Sequence, residues 1–209
     1  LGGRDEDKEN FVTFMKELKE ACGSSYSITA TLPTSYCTIS RFELSAIGMW
    51  LNLLFLLAGY LRGFDVKALS EYVDYFNFMS YDIHGTWDGN TKWTESVVNP
   101  HTNLTGEMFL PQPWSSALTH VSEIKEGLDL LWRNDVDPAK VMLGLGFYGR
   151  SFTLKDSSCA EPGCAFDKTQ DSAGGGKAGK CTETTGILTD YEINRVIKEH
   201  NPDVVYNEE

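Results

Sequence analysis

Basic residues are scarce in this chain. Its 209 residues carry 18 Lys and Arg against 30 Asp and Glu, a net charge of −12 with a pI near 4.7. Such a surface argues against nucleic-acid and anionic-membrane partners, which select basic faces. Long apolar runs are also missing: the most apolar stretch, Ala46 to Gly59, falls short of the about 20 residues a membrane-spanning helix needs. The five Cys, at 22, 37, 159, 164 and 181, include no Cys-x-x-Cys pair, which argues against a zinc site. No metal and no cofactor is expected. Nor does Leu1-Gly2-Gly3-Arg4-Asp5 resemble a signal peptide, being polar and acidic. Either the chain is cytosolic or its true start lies elsewhere.

What is present is organised around Tyr72 to Gly89. Phe76, Phe78 and Ser80 alternate with Asn77, Met79 and Tyr81, and the aromatic and apolar content of both parities predicts a strand buried on both faces. It breaks at His84-Gly85. A buried parallel strand ending in Tyr-Asp before a Gly- and Trp-containing loop is where an α/β barrel places its chemistry, at the carboxyl ends of its strands. Tyr81, Asp82 and Trp87 are therefore the first candidate site residues.

Elsewhere helices and strands alternate. Acids precede Phe11, Phe14, Met15, Leu18 and Ala21, so residues 9–22 read as an amphipathic helix ending at Gly23. Tyr26 to Leu32 reads as a strand stopped by Pro33, and Asp65 to Tyr72 as a short helix. Glu123 to Asn134 places Ile124, Leu128, Leu131 and Trp132 on one face, before a buried strand from Val141 to Phe147. Phe152 to Thr185 turns to Gly, Lys, Ser and Cys, a loop-rich excursion with room for a local disulfide among Cys159, Cys164 and Cys181, consistent with an oxidising compartment. Thr189-Asp190-Tyr191-Glu192 has the spacing of a capping box and opens a last helix to about His200, with Ile193, Val196 and Ile197 as its apolar stripe. The order predicts a parallel βα array.

Met79-Ser80-Tyr81-Asp82, with His84-Gly85 and Trp87, resembles the sixth-strand motif of glycoside hydrolase family 18, the chitinases and chitinase-like lectins, and most closely the secreted fungal type. Gly2 to Leu18, Ile28 to Tyr36, Tyr60 to Asp65 and Gly144 to Phe152 agree with it in the right order. The resemblance implies a partial TIM (β/α)8 barrel, about strands 5 to 7, over residues 1–151, and the start of an α+β insertion domain over 152–209. It implies a secreted, monomeric parent protein acting on chitin or chito-oligosaccharides, a neutral polymer compatible with the acidic surface. Catalysis in this family is substrate-assisted: a Glu protonates the leaving oxygen while the sugar's own acetamide attacks the anomeric carbon. By resemblance Tyr81 donates its hydroxyl to that acetamide and Asp82 contacts the same sugar and steadies the developing charge. Met79 contributes to the pocket floor, Trp87 forms a stacking wall, and Tyr148 and Arg150 match binding positions. His84 reads as a structural hydrogen-bonding residue.

Two departures matter. The signature Asp-Gly-x-Asp-x-Asp-x-Glu, which carries the acid, occurs nowhere in the 209 residues, and residue 1 matches a point just after it. The expectation is a central fragment, inactive by itself; a chitin-binding lectin and a non-functional gene-model product are the alternatives. Secondly, Cys37 to Gly59 and Gly106 to Ser122 interrupt the resemblance. They read as translated introns, since GT-to-AG excision can restore a Trp codon between Tyr36 and Tyr60 and a Glu codon before Ile124 in frame, or as surface-loop insertions, which barrels tolerate. Asn103-Leu104-Thr105 is a glycosylation sequon.

Overall fold

The computed structural model describes residues 5–34, 61–90, 96–102, 123–168 and 174–206. Both interrupting segments and the sequon lie outside the described residues. The chain divides into two compact units, Leu1–Tyr81 with Glu123–Leu145, and Asp82–Ser122 with Gly146–Glu209.

The first unit is built on a parallel sheet. Helix α1 (Asp5–Cys22) ends where Gly23 adopts φ +61°, a conformation that costs glycine nothing. The helix begins a turn before the expected residue 9, and of the expected stripe Met15 is buried, while Phe14 is 55% exposed. Lys19, one turn beyond Met15, reaches both oxygens of Asp74 with its Nζ at 2.9 and 3.0 Å. The Ile28 N–H donates to the same carboxylate at 2.7 Å, and that bond, with Lys19, holds Asp74 below the usual carboxylate range. Strands β1 (Thr29–Pro33) and β2 (Tyr75–Met79) pair in parallel, Ala30 opposite Phe76 and Leu32 opposite Phe78, and β3 (Val141–Leu143) extends the sheet from the other edge of β2. Between β1 and β2, the Asp65 carboxylate accepts the Ala68 N–H at 3.0 Å and caps the short α2 (Val66–Leu69).

Among the described residues the sheet is covered on one face only. Ala30, Leu32, Phe76 and Phe78 are buried, whereas Tyr75 is 41% exposed and Thr31 and Asn77 are exposed. This corrects the reading of a central strand buried on both faces. Its buried parity meets α3 (Glu123–Arg133), whose Gly127 lets the helix approach: a Cβ there would lie 2.8 Å from the Phe78 ring. The expected strand from Val141 to Phe147 is likewise shorter and barer. It stops at Leu143, with Met142 and Leu143 45% and 42% exposed and Phe147 83% exposed, because among the described residues β3 is an edge with a strand on one side only.

The second unit holds an antiparallel pair, β4 (Tyr148–Arg150) and β5 (Ile187–Thr189), in the register Tyr148 to Thr189 and Arg150 to Ile187. Thr189 caps α4 (Asp190–His200) with the expected capping box. The buried place on this helix is taken by Glu192, 6% exposed, while Val196 of the predicted apolar stripe is 41% exposed. Glu192 Oε1 accepts the Cys181 and Thr182 N–H groups at 2.6 and 3.2 Å, and Oε2 accepts the Thr189 N–H at 2.9 Å. These amides, the Thr189 one foremost, pull its pKa down to about 2. Cys159 and Cys164 form the local disulfide, and the hairpin they close pairs with residues 96–98 through Val98 N–H to Cys164 O and Phe166 N–H to Ser96 O, both 2.9 Å. No described helix is long and apolar enough to cross a membrane.

Candidate functional site

Two of the predicted site residues lie at or just beyond the end of β2, Met79 as its last residue and Tyr81 two positions on. Met79 sits half-buried on the parity opposite Phe76 and Phe78, and its carbonyl accepts the hydroxyl of buried Thr34. Beyond it, the Ser80 hydroxyl donates to the Gly144 carbonyl at 2.5 Å, and the Gly144 N–H donates to the Phe78 carbonyl at 2.8 Å. Gly144 leaves space for Tyr81, since a Cβ there would lie 2.9 Å from the Tyr81 ring. A glycine unremarked in the sequence thus seats a candidate phenol.

In the second unit Asp82 opens the loop in a left-handed conformation, φ +57°. For a non-glycine residue that costs about 1 kcal/mol, though Asp is among the types that tolerate it. Its surroundings hold it there. The Asp82 N–H donates to Nδ1 of His101 at 3.2 Å, and the next amide, Ile83 N–H, donates to the His101 carbonyl at 3.1 Å. Arg150 directs Nε and Nη2 to one carboxylate oxygen of Asp82 at 3.0 and 2.5 Å, the charge-assisted geometry for which a guanidinium is suited. The Asp82 side chain keeps 39% of its surface exposed, so the anchored carboxylate can still meet a ligand.

Arg150 also gathers the aromatic residues. Its guanidinium carbon lies 4.7 Å from the Trp87 ring centroid and 5.5 Å from that of Tyr148, within cation–π range. Trp87 is 38% exposed and packs on Gly85, where a Cβ would lie 2.4 Å from the ring. Below it, the buried His84 and Asp88 meet at 2.7 Å across the turn, so His84 does bond within the structure as expected. Burial, then its hydrogen bond with Asp82, push the Tyr148 phenol well above its usual range. Tyr148 therefore remains a hydrogen-bond donor at any physiological pH.

Four predicted residues, Asp82, Trp87, Tyr148 and Arg150, come together in one unit; Met79 and Tyr81 end the sheet of the other. His101 was not singled out in the sequence. It is 8% exposed, its Nε2 lies 3.0 Å from the Tyr148 carbonyl and its ring stacks on Tyr148 at 4.9 Å. A position 19 residues from Asp82 offers no periodic signal. Among the described residues no cluster of His, Cys, Asp and Glu could hold a metal ion.

A family model described as glycosyl hydrolases family 18 matches residues 1–209. The chain belongs to this family. Among family 18 relatives, the secreted chitinase LysM12 of Penicillium expansum is 30% identical over 205 residues, 95% of this chain and 11% of that protein. The endochitinase of Manduca sexta is 27% identical over 92% of this chain and 29% of its own length. Of solved structures, the Ostrinia furnacalis Group IV chitinase superposes with a TM-score of 0.68 at 24% identity, covering 94% of this chain and 43% of that one. Human YKL-39, described as a pseudo-chitinase with retained chitooligosaccharide binding properties, gives 0.64 at 20% identity, over 93% and 45%. The chain thus spans less than half the length of these relatives and shares the α/β fold of family 18.

Proposed function

We propose that this chain carries the acetamide-gripping side of a chitinase site, for substrate-assisted, retaining hydrolysis of β-1,4-linked N-acetylglucosamine polymers. The observation that carries the reading is the Asp82 carboxylate, fixed by Arg150 beside a half-exposed Trp87. In the proposed mechanism the Tyr81 hydroxyl donates to the acetamide oxygen of the sugar at the scissile bond. Asp82 holds the same group in place and stabilises the positive charge that develops as the acetamide attacks, directed polar groups being worth most where charge appears. Met79 floors the pocket, Trp87 stacks on the apolar face of a neighbouring sugar, and Tyr148 and Arg150 bind alongside.

Within the 209 residues no Asp-Gly-x-Asp-x-Asp-x-Glu acid is present, and general acid catalysis is typically worth about 10² to 10⁴-fold. The chain alone therefore binds without turning over. Chito-tetraose should quench tryptophan fluorescence of the 209-residue protein in a saturable way and W87A should remove the response, while a chromogenic chitobioside stays intact; measurable release of chromophore would overturn the no-turnover reading. A chitin-binding lectin role remains the second reading, and the coding sequence upstream of Leu1 distinguishes the two.

The sequential parallel order of β1, β2 and β3 supports a barrel segment of about strands 5 to 7 within residues 1–151, with 152–209 beginning an insertion domain. The Cys159–Cys164 disulfide and the secreted Penicillium relative support an extracellular parent protein. Retained introns remain the proposal for 37–59 and 106–122. Sequencing mature transcript decides this, since persistence of those codons in the dominant message would make them insertions.

A further inference from the structure

We propose that His101 is a positioning residue for the sugar site: a neutral imidazole, protonated on Nε2 alone, which keys the left-handed Asp82 turn to the Tyr148 carbonyl and releases it on taking up a second proton. The proposal rests on the sugar-binding reading above. Its core is an assignment of protons. Nδ1 faces a backbone N–H, that of Asp82 at 3.2 Å, so it must offer a lone pair. Nε2 faces a carbonyl, that of Tyr148 at 3.0 Å, so it must carry the hydrogen. Only one neutral tautomer satisfies both partners.

The ring is placed to matter. Its own carbonyl takes the Ile83 N–H at 3.1 Å, so two successive amides of the Asp82 turn end on one residue. The segment leading to it is fixed against the disulfide hairpin through Ser96 and Val98, so the histidine cannot simply follow the turn if the turn moves. Among the described residues the charged and titratable groups facing the ring are the Asp82 carboxylate, 3.7 Å from Nδ1, the Arg150 guanidinium and the stacked Tyr148 phenol.

A proton added at Nδ1 sets donor against donor at the Asp82 amide. The nearest acceptor then becomes Asp82 Oδ1, the oxygen that Arg150 holds. The same proton thus removes the acceptor that supports the turn and competes for the carboxylate the site presents. Burial first, and Arg150 in addition, keep the His101 pKa below its usual 6.5, against the opposing pull of the Tyr148 carbonyl and Asp82. The keyed state is therefore complete above pH 6.5 and is lost as pH falls through the lowered value.

The test uses the full 209-residue chain. The wild type, H101N and H101A are titrated with chito-tetraose between about pH 4.5 and 8, and histidine 15N shifts are recorded for the wild type. The expected wild-type ring has Nδ1 in the non-protonated range at neutral pH and titrates together with the Asp82 amide, while affinity falls about tenfold in acid, the equivalent of one hydrogen bond. In H101N the side-chain oxygen takes the place of Nδ1: about threefold is lost at neutral pH, and the acid fall disappears. H101A is about tenfold weaker throughout; should it fail to fold, H101N carries the comparison. A ring protonated on Nδ1, or an acid inflection unchanged in H101N, overturns the proposal. If no variant binds the tetraose, the sugar-binding reading falls instead. The ring shifts then still decide the keying, which a coupled Asp82 amide supports and an uncoupled one refutes.

Discussion

The two compact units are held together by different physics. Among the described residues, every buried apolar side chain except Ile83, Cys164 and Phe166 lies in the first unit, around Phe76, Phe78, Leu32, Leu69, Ile124 and Leu131. The second unit buries His84, Asp88, Asn99, His101 and Glu192 and closes its turns on glycines with little space to spare. The first is stabilised by non-directional area removed from water, the second by directional bonds that fail when one partner is lost. Met79 and Tyr81 accordingly follow from a packed sheet, whereas Asp82, Trp87, Tyr148 and Arg150 are held by a polar network.

The contrast can be broken experimentally. Phe78→Ala, which empties the space between β2 and α3, should cost the first unit about 3–5 kcal/mol, read from urea unfolding. If Trp87, reporting on the second unit, loses its folded signal at the same lowered midpoint, the units are not energetically separate. Next in size is Glu192. Its depressed pKa means that its contribution is fully present above about pH 4.5 and is lost as pH falls through about 2. The urea midpoint of the second unit should decline over that interval, and E192Q should lower the neutral midpoint and flatten the decline; a wild-type slope in E192Q would sink the assignment. Gly85→Ala sets a Cβ 2.4 Å from the Trp87 ring. Affinity for chito-tetraose should drop about three- to tenfold, the scale of one aromatic contact, with the first unit unaffected. Smallest is Lys67→Ala. Its pair with Asp135 leaves both side chains at 65% and 74% exposure, so the urea midpoint should not move measurably.

Local signals in the sequence survive into the structure. The Thr189–Glu192 capping box, the α3 stripe through Ile124 and Leu131, and the strand through Phe76 and Phe78 all depend on residues within a few positions of one another. Phe14 and the bare face of β2 were misjudged because alternation reveals that two faces differ, not what packs on each. The edge position of β3 among the described residues and the pairing of Tyr148–Arg150 with Ile187–Thr189 depend on segments distant in sequence. For the candidate site, the family resemblance proposed Met79, Tyr81, Asp82, Trp87, Tyr148 and Arg150, of which Asp82, Trp87, Tyr148 and Arg150 lie against one another. His101, Gly85 and Gly144 were not among them, since each acts through a neighbour that only folding brings near.

Residue order alone settled the family and the stops of the helices at Cys22 and His200, though the first helix begins at Asp5 rather than at residue 9, because stop signals follow from side-chain types a turn or two apart. Three-dimensional packing decided which carboxylate Arg150 grips, why Asp82 tolerates φ +57° and which nitrogen of His101 carries the proton. Each of those outcomes depends on distances of about 3 Å between groups far apart in the chain, a scale at which hydrogen bonds form or fail and about which sequence spacing carries no information.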